Sequence, residues 1–280
     1  MNDLEQIARA WGATSVPFSQ LSEQDWLGTP HLQRALQLLD QTALLRGLML
    51  LSGSNGLGKS VLASRWSGSL EKRLYTPVSL TQATLTGSSL LAALVSRLGK
   101  RAGCRRERNL DEIALFLQEH SRHTLVVILD DAQNYSHAAL EELRLLLGLN
   151  LPTQPAFALV LVGDDYLLGQ LQLRNHRALY SRLSAHYALV PWTAEQVGEY
   201  LQRGLNAVGI TRQAFEAPAI DLLVRASAGV PRSLCLLARA AWIAAALSNS
   251  QRICAESVQQ AIEQVPGAAG LYNPPQSPSP

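Results

Sequence analysis

The chain has 280 residues, 47% of them hydrophobic and 16% charged, a balance that suits a globular interior and excludes a disordered chain. Its formal net charge of +2 at pH 7 excludes bulk attraction to polyanions, so any nucleic-acid surface must be a local patch. Cys104, Cys235 and Cys254 form no C-x-x-C pair, which argues against a disulfide framework or zinc site and for a reducing compartment.

In chain order, the acidic and amphipathic start Met1-Asn2-Asp3-Leu4-Glu5 is unlike a signal peptide, and residues 2–10 read as a short helix. Val16-Pro17-Phe18 follows as an extended segment, because a proline restricts the residue before it. Leu32, Ala35, Leu36, Leu39 and Ala43 give residues 31–45 a helical period. Strand-like apolar runs then recur at 48–52, 74–79, 125–129 and 157–162, with helical segments at 60–70, 88–98, 110–120 and 138–147 between them. That alternation predicts an α/β domain whose parallel sheet is flanked by helices on both faces.

After Trp192 the pattern is helical alone, at 194–208, 217–226, 231–247 and 255–265, and Pro231 suits a first helical turn. The expected organisation is an N-terminal extension over 1–30, an α/β domain over 31–192, a small helical lid over 193–265 and a proline-rich flexible tail over 266–280. The most apolar stretch, 234–247, is too short to span a bilayer and contains Arg239. A soluble cytoplasmic protein without a membrane role is therefore expected.

The most specific motif occupies residues 53–60: Gly53, Ser54, Asn55, Gly56, Leu57, Gly58, Lys59 and Ser60 complete G-x-x-x-x-G-K-[ST]. The apolar run Leu48-Met49-Leu50-Leu51 before it and Val61-Leu62-Ala63 after it supply the buried strand and helix start that a phosphate loop requires. Loop amides and the helix N-terminus point at phosphate oxygens, and the glycines let the backbone approach closely. Lys59 is expected to reach the β- and γ-phosphates and the Ser60 hydroxyl to ligate magnesium, so ATP and Mg2+ are the expected cofactors.

A second buried run, from Thr124, ends in Asp130 and Asp131. Asp130 is placed to hold the magnesium shell, and Asp131 to orient or deprotonate the attacking water. Either could instead receive backbone amides in a helix-capping turn. Gly163-Asp164 ends another buried strand, where a polar group can sense the γ-phosphate. Arg182 follows a short amphipathic helix, as an arginine finger offered to a neighbouring subunit does, and Arg232 stands in the first turn of a lid helix. A guanidinium suits developing phosphoryl charge because its donors are planar and always charged. Taken singly, each of these arginines reads first as a solvated surface cation, and only the ordered set of motifs lifts it above that.

The densest basic cluster holds Lys100, Arg101, Arg105, Arg106 and Arg108 in an expected loop between two helices. It can neutralise successive DNA phosphates, or it can be a solvated loop ion-paired to Glu107 and Asp111. No helix-turn-helix or zinc finger is visible. Trp11, Trp26 and Trp192 read as core or interface aromatics before base-stacking platforms.

The ordered set 53–60, Asp130-Asp131, Gly163-Asp164, Arg182 and Gly229-Val230-Pro231-Arg232 resembles the AAA+ ATPases. More narrowly it resembles the ExeA/TniB/TnsC group of transposition-associated ATPases related to MuB, which Pro17-Phe18 and His31 also match, over roughly residues 15–265. The resemblance implies a P-loop NTPase fold, nucleotide binding by residues 53–61 (Gly53 through Val61) with Lys59 and Ser60 on ATP and magnesium, and Asp130 on the metal. It further implies catalytic roles for Lys59, Asp131 and Arg182, with Asp164 and Arg232 as nucleotide sensors.

The same resemblance implies a homo-oligomer, a ring or helical filament, around duplex DNA. Its contacts would be sequence-independent and come from Lys100, Arg101, Arg105, Arg106 and the segment opened by Thr81. The implied partners are a transposase and a TniQ-type targeting protein; the proline-rich tail reads either as an extended segment that docks such a partner or as a disordered end with no role. Aspartate stands at 131 where the group usually carries glutamate, and Asp164 stands near a usually neutral polar position; both imply slow ATP turnover that times disassembly. The alternatives are an ExeA-like secretion-assembly ATPase, whose membrane span and periplasmic part are not visible in this sequence, and a metabolic P-loop kinase.

Overall fold

The computed structural model describes residues 3–19, 28–81, 86–149, 155–265 and 267. The chain divides into two compact units, Thr29–Leu189 and a second made of Met1–Gly28 with Val190–Pro280. Trp26 and, apart from Gly267, the proline-rich tail lie outside the described residues.

Helix α1 (Asp3–Ala10) opens the chain and belongs to the second unit. The first unit follows as α2 (Pro30–Leu44), β1 (Leu48–Ser52), α3 (Lys59–Ser69), β2 (Tyr75–Leu80), α4 (Gly87–Arg97), α5 (Arg106–Glu119) and β3 (Thr124–Leu129). It continues through α6 (His137–Leu147), β4 (Ala158–Val162), α7 (Asp165–Gln172), α8 (Arg177–Tyr180) and β5 (Leu183–Ala188). All strand pairs are parallel, in the order β2-β3-β4-β1-β5. This is the fold the strand–helix alternation predicts.

Burial explains which strands the sequence announces. Every residue of β1 and β4 is buried, and β3 is buried from its second residue onward, so these three read as continuous apolar runs. Strand β5, Leu-Ser-Ala-His-Tyr-Ala, alternates half-buried and exposed residues along one edge of the sheet. It carries no apolar run, and no strand is expected there from the sequence. Pro77 is exposed within β2, the opposite edge strand, the position where a missing N–H is tolerated. The pairings Leu51↔Val162 and Leu129↔Leu161 bring the C-terminal ends of β1, β3 and β4 to one side of the sheet. In open parallel sheets that side receives ligands.

Two helix boundaries matter for function. Ser136 caps α6 by accepting from Ala139 N at 3.2 Å, which fixes the chain after Asp130-Asp131. Helix α5 begins at Arg106, ahead of the expected start at 110, so Arg106 and Arg108 are helical where a loop was expected.

The second unit contains α9 (Ala194–Ala207), α10 (Ala217–Ser227), α11 (Pro231–Leu247) and α12 (Ala255–Gln264). Its core joins α1 to these helices through Trp11, whose ring meets that of Trp242 edge-on at 5.7 Å. Trp11 is buried and Trp192 packs against the same core, in keeping with the core reading of both. Thr193 and Gln196 form a capping box at the start of α9. Gly229 has φ +70°, and a Cβ there would lie 2.2 Å from the Trp192 carbonyl oxygen. Only glycine fits at the head of the Gly-Val-Pro-Arg motif. Among the described residues, all three cysteines are free and no helix is long and apolar enough to cross a membrane.

Candidate nucleotide site

Strand β1 ends at Ser52, and the loop 53–58 leads directly into α3. Gly58 is the N-cap, in the left-handed region at φ 91°, and no side chain caps the helix. The first amides of α3 are therefore not claimed by a capping side chain, as an anion site at a helix start requires. Leu57 is buried and anchors the loop, while Ser54, Asn55, Ser60 and Val61 are exposed.

Lys59 is only 8% exposed. Its Nζ donates to the carbonyl oxygens of Gly53 at 2.6 Å and Ser54 at 3.1 Å. Burial pushes its pKa down, opposed by Asp165, Asp131, Asp164 and Asp130 in decreasing order. The ammonium is thus held across the mouth of its own loop, where β- and γ-phosphates are met in such loops.

The Ser60 hydroxyl donates to Asp130 Oδ1 at 3.0 Å, joining positions 70 residues apart. The same oxygen accepts from Asp131 N at 3.0 Å. A hydroxyl beside a single carboxylate oxygen suits Mg2+, a hard ion that keeps several waters and takes its remaining ligands from phosphates. Among the described residues no group of three or more His, Cys, Asp or Glu is arranged to hold a metal. Asp131 is exposed and left-handed, at φ 49° and ψ 44°, a conformation aspartate tolerates better than most residues.

Asp164, the expected γ-phosphate sensor, is the N-cap of α7: its Oδ1 accepts from Tyr166 N at 3.1 Å and Leu167 N at 3.2 Å. The carboxylate is engaged in folding as well as being near Lys59. Asp164 N in turn donates to Gln133 Oε1 at 3.3 Å, tying the turn after β4 to the turn after Asp130-Asp131. Ser54 Oγ donates to Asp165 Oδ2 at 2.8 Å. Neither Gln133 nor Asp165 is among the residues expected from the sequence. The doubled acid after β4 marks Asp165 as a polar position but not its partner, and no pattern in the sequence marks Gln133.

Arg182 has a partner inside its own unit: its Nη1 donates to the Arg144 carbonyl oxygen at 2.5 Å. Arg144 lies in the last turn of α6, where carbonyls lack helical partners and a cation is favourable. Arg232 is exposed in the first turn of α11, in the second unit.

The basic cluster is partly neutralised, though not by the expected Glu107 and Asp111. Lys100 pairs with Glu119 at 2.9 Å. Arg106 forms two bonds to Glu142, at 2.6 and 2.8 Å, and that partnership holds its guanidinium pKa up. The planar fork matches a carboxylate in this way, so Arg106 is committed to α6. Arg101 and Arg105 are exposed, with no ion-pair partner among the described residues. Thr81 lines a cleft of about 270 Å3 with Leu80, Ala93, Ser96 and Arg97. Arg97, in the last turn of α4, is a cation that the sequence does not mark as part of a site.

The sheet order and the loop geometry are those of a P-loop NTPase fold. More specifically, residues 43–171 match the family model described as an AAA domain. The chain is 30% identical over 228 residues, 79% of its length, to general secretion pathway protein A of Aeromonas hydrophila, and spans 41% of that relative. Its fold is similar to that of Cdc6p from Pyrobaculum aerophilum, with a TM-score of 0.65 and 18% identity over 92% of this chain and 71% of that one. It is also similar to the Aeropyrum pernix ORC1 protein in complex with DNA, at TM-score 0.65 and 19% identity over 87% and 68% of the two chains. The Thermotoga maritima RuvB Holliday junction branch migration motor gives a TM-score of 0.59 and 19% identity over 88% and 72%.

Proposed function

We propose that this protein is an ATP-dependent regulator of DNA transposition that oligomerises on duplex DNA, recruits and activates a transposase with a targeting protein, and works in the cytoplasm. Mg2+ and ATP bind at Lys59, Ser60 and Asp130, and Asp131 directs a slow hydrolysis that times disassembly. The observation that carries the nucleotide half is the Ser60–Asp130 contact at 3.0 Å beside the buried Lys59. Arg182 completes a neighbour's site once it leaves the end of α6, and Arg232 senses nucleotide from the helical unit.

The DNA half rests on a narrower surface than the full basic cluster. Lys100 can exchange Glu119 for a phosphate, because that pair is partly exposed and such pairs are weak. Arg106 is a poorer candidate, being committed twice to Glu142. Arg101 and Arg105, with Thr81 and Arg97 at the neighbouring cleft, are the better phosphate contacts. AAA+ folds similar to this one include an ORC1 protein in complex with DNA and a branch migration motor, which is compatible with a role on DNA.

A secretion-assembly role is the second reading, favoured by the 30% identity to general secretion pathway protein A. Charge reversal separates the two. Arg101→Glu with Arg105→Glu is expected to weaken duplex binding in the presence of ATP by about 10- to 100-fold and to flatten its salt dependence by about two counterions. Fluorescence anisotropy across a salt series measures both. A wild-type protein with no affinity for duplex DNA at low salt, with or without ATP, leaves the secretion reading.

A further inference from the structure

The Ser54–Asp165 bond is outside the roles assigned above. Asp165 opens α7, whose start is fixed by the Asp164 cap and by Leu167, a fully buried residue. From that fixed point its Oδ2 accepts the Ser54 hydroxyl at 2.8 Å. Ser54 also gives its carbonyl to Lys59 Nζ at 3.1 Å. The Asp165 carboxylate therefore stands beside the part of the loop over which the lysine reaches, the end that takes the terminal phosphates. Of the four carboxylates that act on the buried Lys59, it acts most strongly.

A fixed negative charge at that place has a definite consequence. A terminal phosphate brings further negative charge to this end of the loop, and the carboxylate repels it to the extent that Lys59, solvent and any cation arriving with the phosphate do not offset it. Magnesium removes most of that repulsion by neutralising the phosphate oxygens. A diphosphate, one phosphoryl group shorter, keeps its charge further away. We propose that Asp165 is a specificity-determining residue of the nucleotide site: it holds Ser54 and selects against a triphosphate that arrives without its magnesium.

This proposal rests on the ATP reading above. It makes the loop favour the magnesium complex and ADP over free ATP. Because Ser54 and Asp165 are both exposed, solvent screens the effect to a moderate size.

The test uses the full-length chain with fluorescent ATP and ADP analogues, titrated in EDTA and in excess Mg2+. Asp165→Asn is expected to tighten ATP binding in EDTA by about tenfold and ADP binding by less than about threefold, with the ATP gain shrinking to about threefold in Mg2+. Asp165→Ser, which also removes the charge, is expected to show the same pattern, and Asp165→Glu to keep the wild-type preference. A purely structural role shifts both nucleotides together and ignores magnesium. Equal changes for ATP and ADP, or none, in the neutral variants overturn the proposal while leaving the ATP reading intact. A wild-type protein that binds neither nucleotide in either condition overturns both.

Discussion

Lys59→Ala is expected to lower ATP turnover by at least about 100-fold, the scale seen when one preorganised charge donor is removed from a transition state. The residue is 8% exposed and its ammonium is held by two loop carbonyls at 2.6 and 3.1 Å. Much of its hydration is gone and its orientation is fixed, which is what makes its charge effective at the β- and γ-phosphates. Alanine removes that charge and leaves the Gly53 and Ser54 carbonyls without their donor. Some loss of nucleotide affinity is expected with the loss of rate, because a phosphate-loop lysine acts on phosphate in both the ground state and the transition state. Steady-state phosphate release with a parallel binding titration reads both quantities. Turnover within threefold of wild type removes Lys59 from the mechanism.

Asp130→Ala is expected to reduce turnover by about 100- to 1,000-fold, again on the scale of a lost electrostatic stabiliser, while changing ATP affinity much less. Asp130 is the carboxylate joined to Ser60; the pair would hold magnesium, which would supply charge neutralisation at the phosphates chiefly as charge develops. Its loss should also raise the magnesium concentration needed for half-maximal rate. A magnesium titration of the variant, with thermal melting to confirm the fold, measures this. An unchanged magnesium requirement assigns the metal to other groups and leaves Asp130 as the support of Ser60 and the Asp131 amide.

What could be read from the sequence divides by range of interaction. The phosphate loop is a local pattern, and its strand and helix are adjacent in the chain, so residues 53–61 were legible together with β1 and α3. Strands β3 and β4 declared themselves through near-complete burial. Strand β5 did not, because an edge position lets Ser184, His186 and other polar residues share a strand. Its attachment depends on contacts such as Ser184 Oγ donating to the Leu48 carbonyl, 136 residues away. The α5 boundary was hidden for a different reason. Arg105 at its N-cap makes no side-chain cap bond and Arg106 follows directly, and neither residue is a usual start signal.

The site shows the same division. Asp130 and Ser60 could each be named from local motifs, but their meeting at 3.0 Å reaches across β4, which lies between β3 and β1 in the sheet. The capture of Ser54 by Asp165 spans 111 residues and has no local signature. Likewise Glu119 and Glu142, not the nearby Glu107 and Asp111, neutralise Lys100 and Arg106. Sequence distance was a poor guide because helices α5 and α6 bring remote carboxylates to the basic segment. Asp164 serves two ends at once, since its carboxylate caps the start of α7 and adds its charge to the field around Lys59.

We propose that the phosphate loop controls assembly on DNA. Electron microscopy of the full chain with duplex DNA and a non-hydrolysable ATP analogue tests it most directly, against samples lacking either component. Rings or helical filaments formed on duplex DNA only when both components are present are the predicted result. A monomer that stays dispersed and indifferent to DNA in every sample contradicts the account.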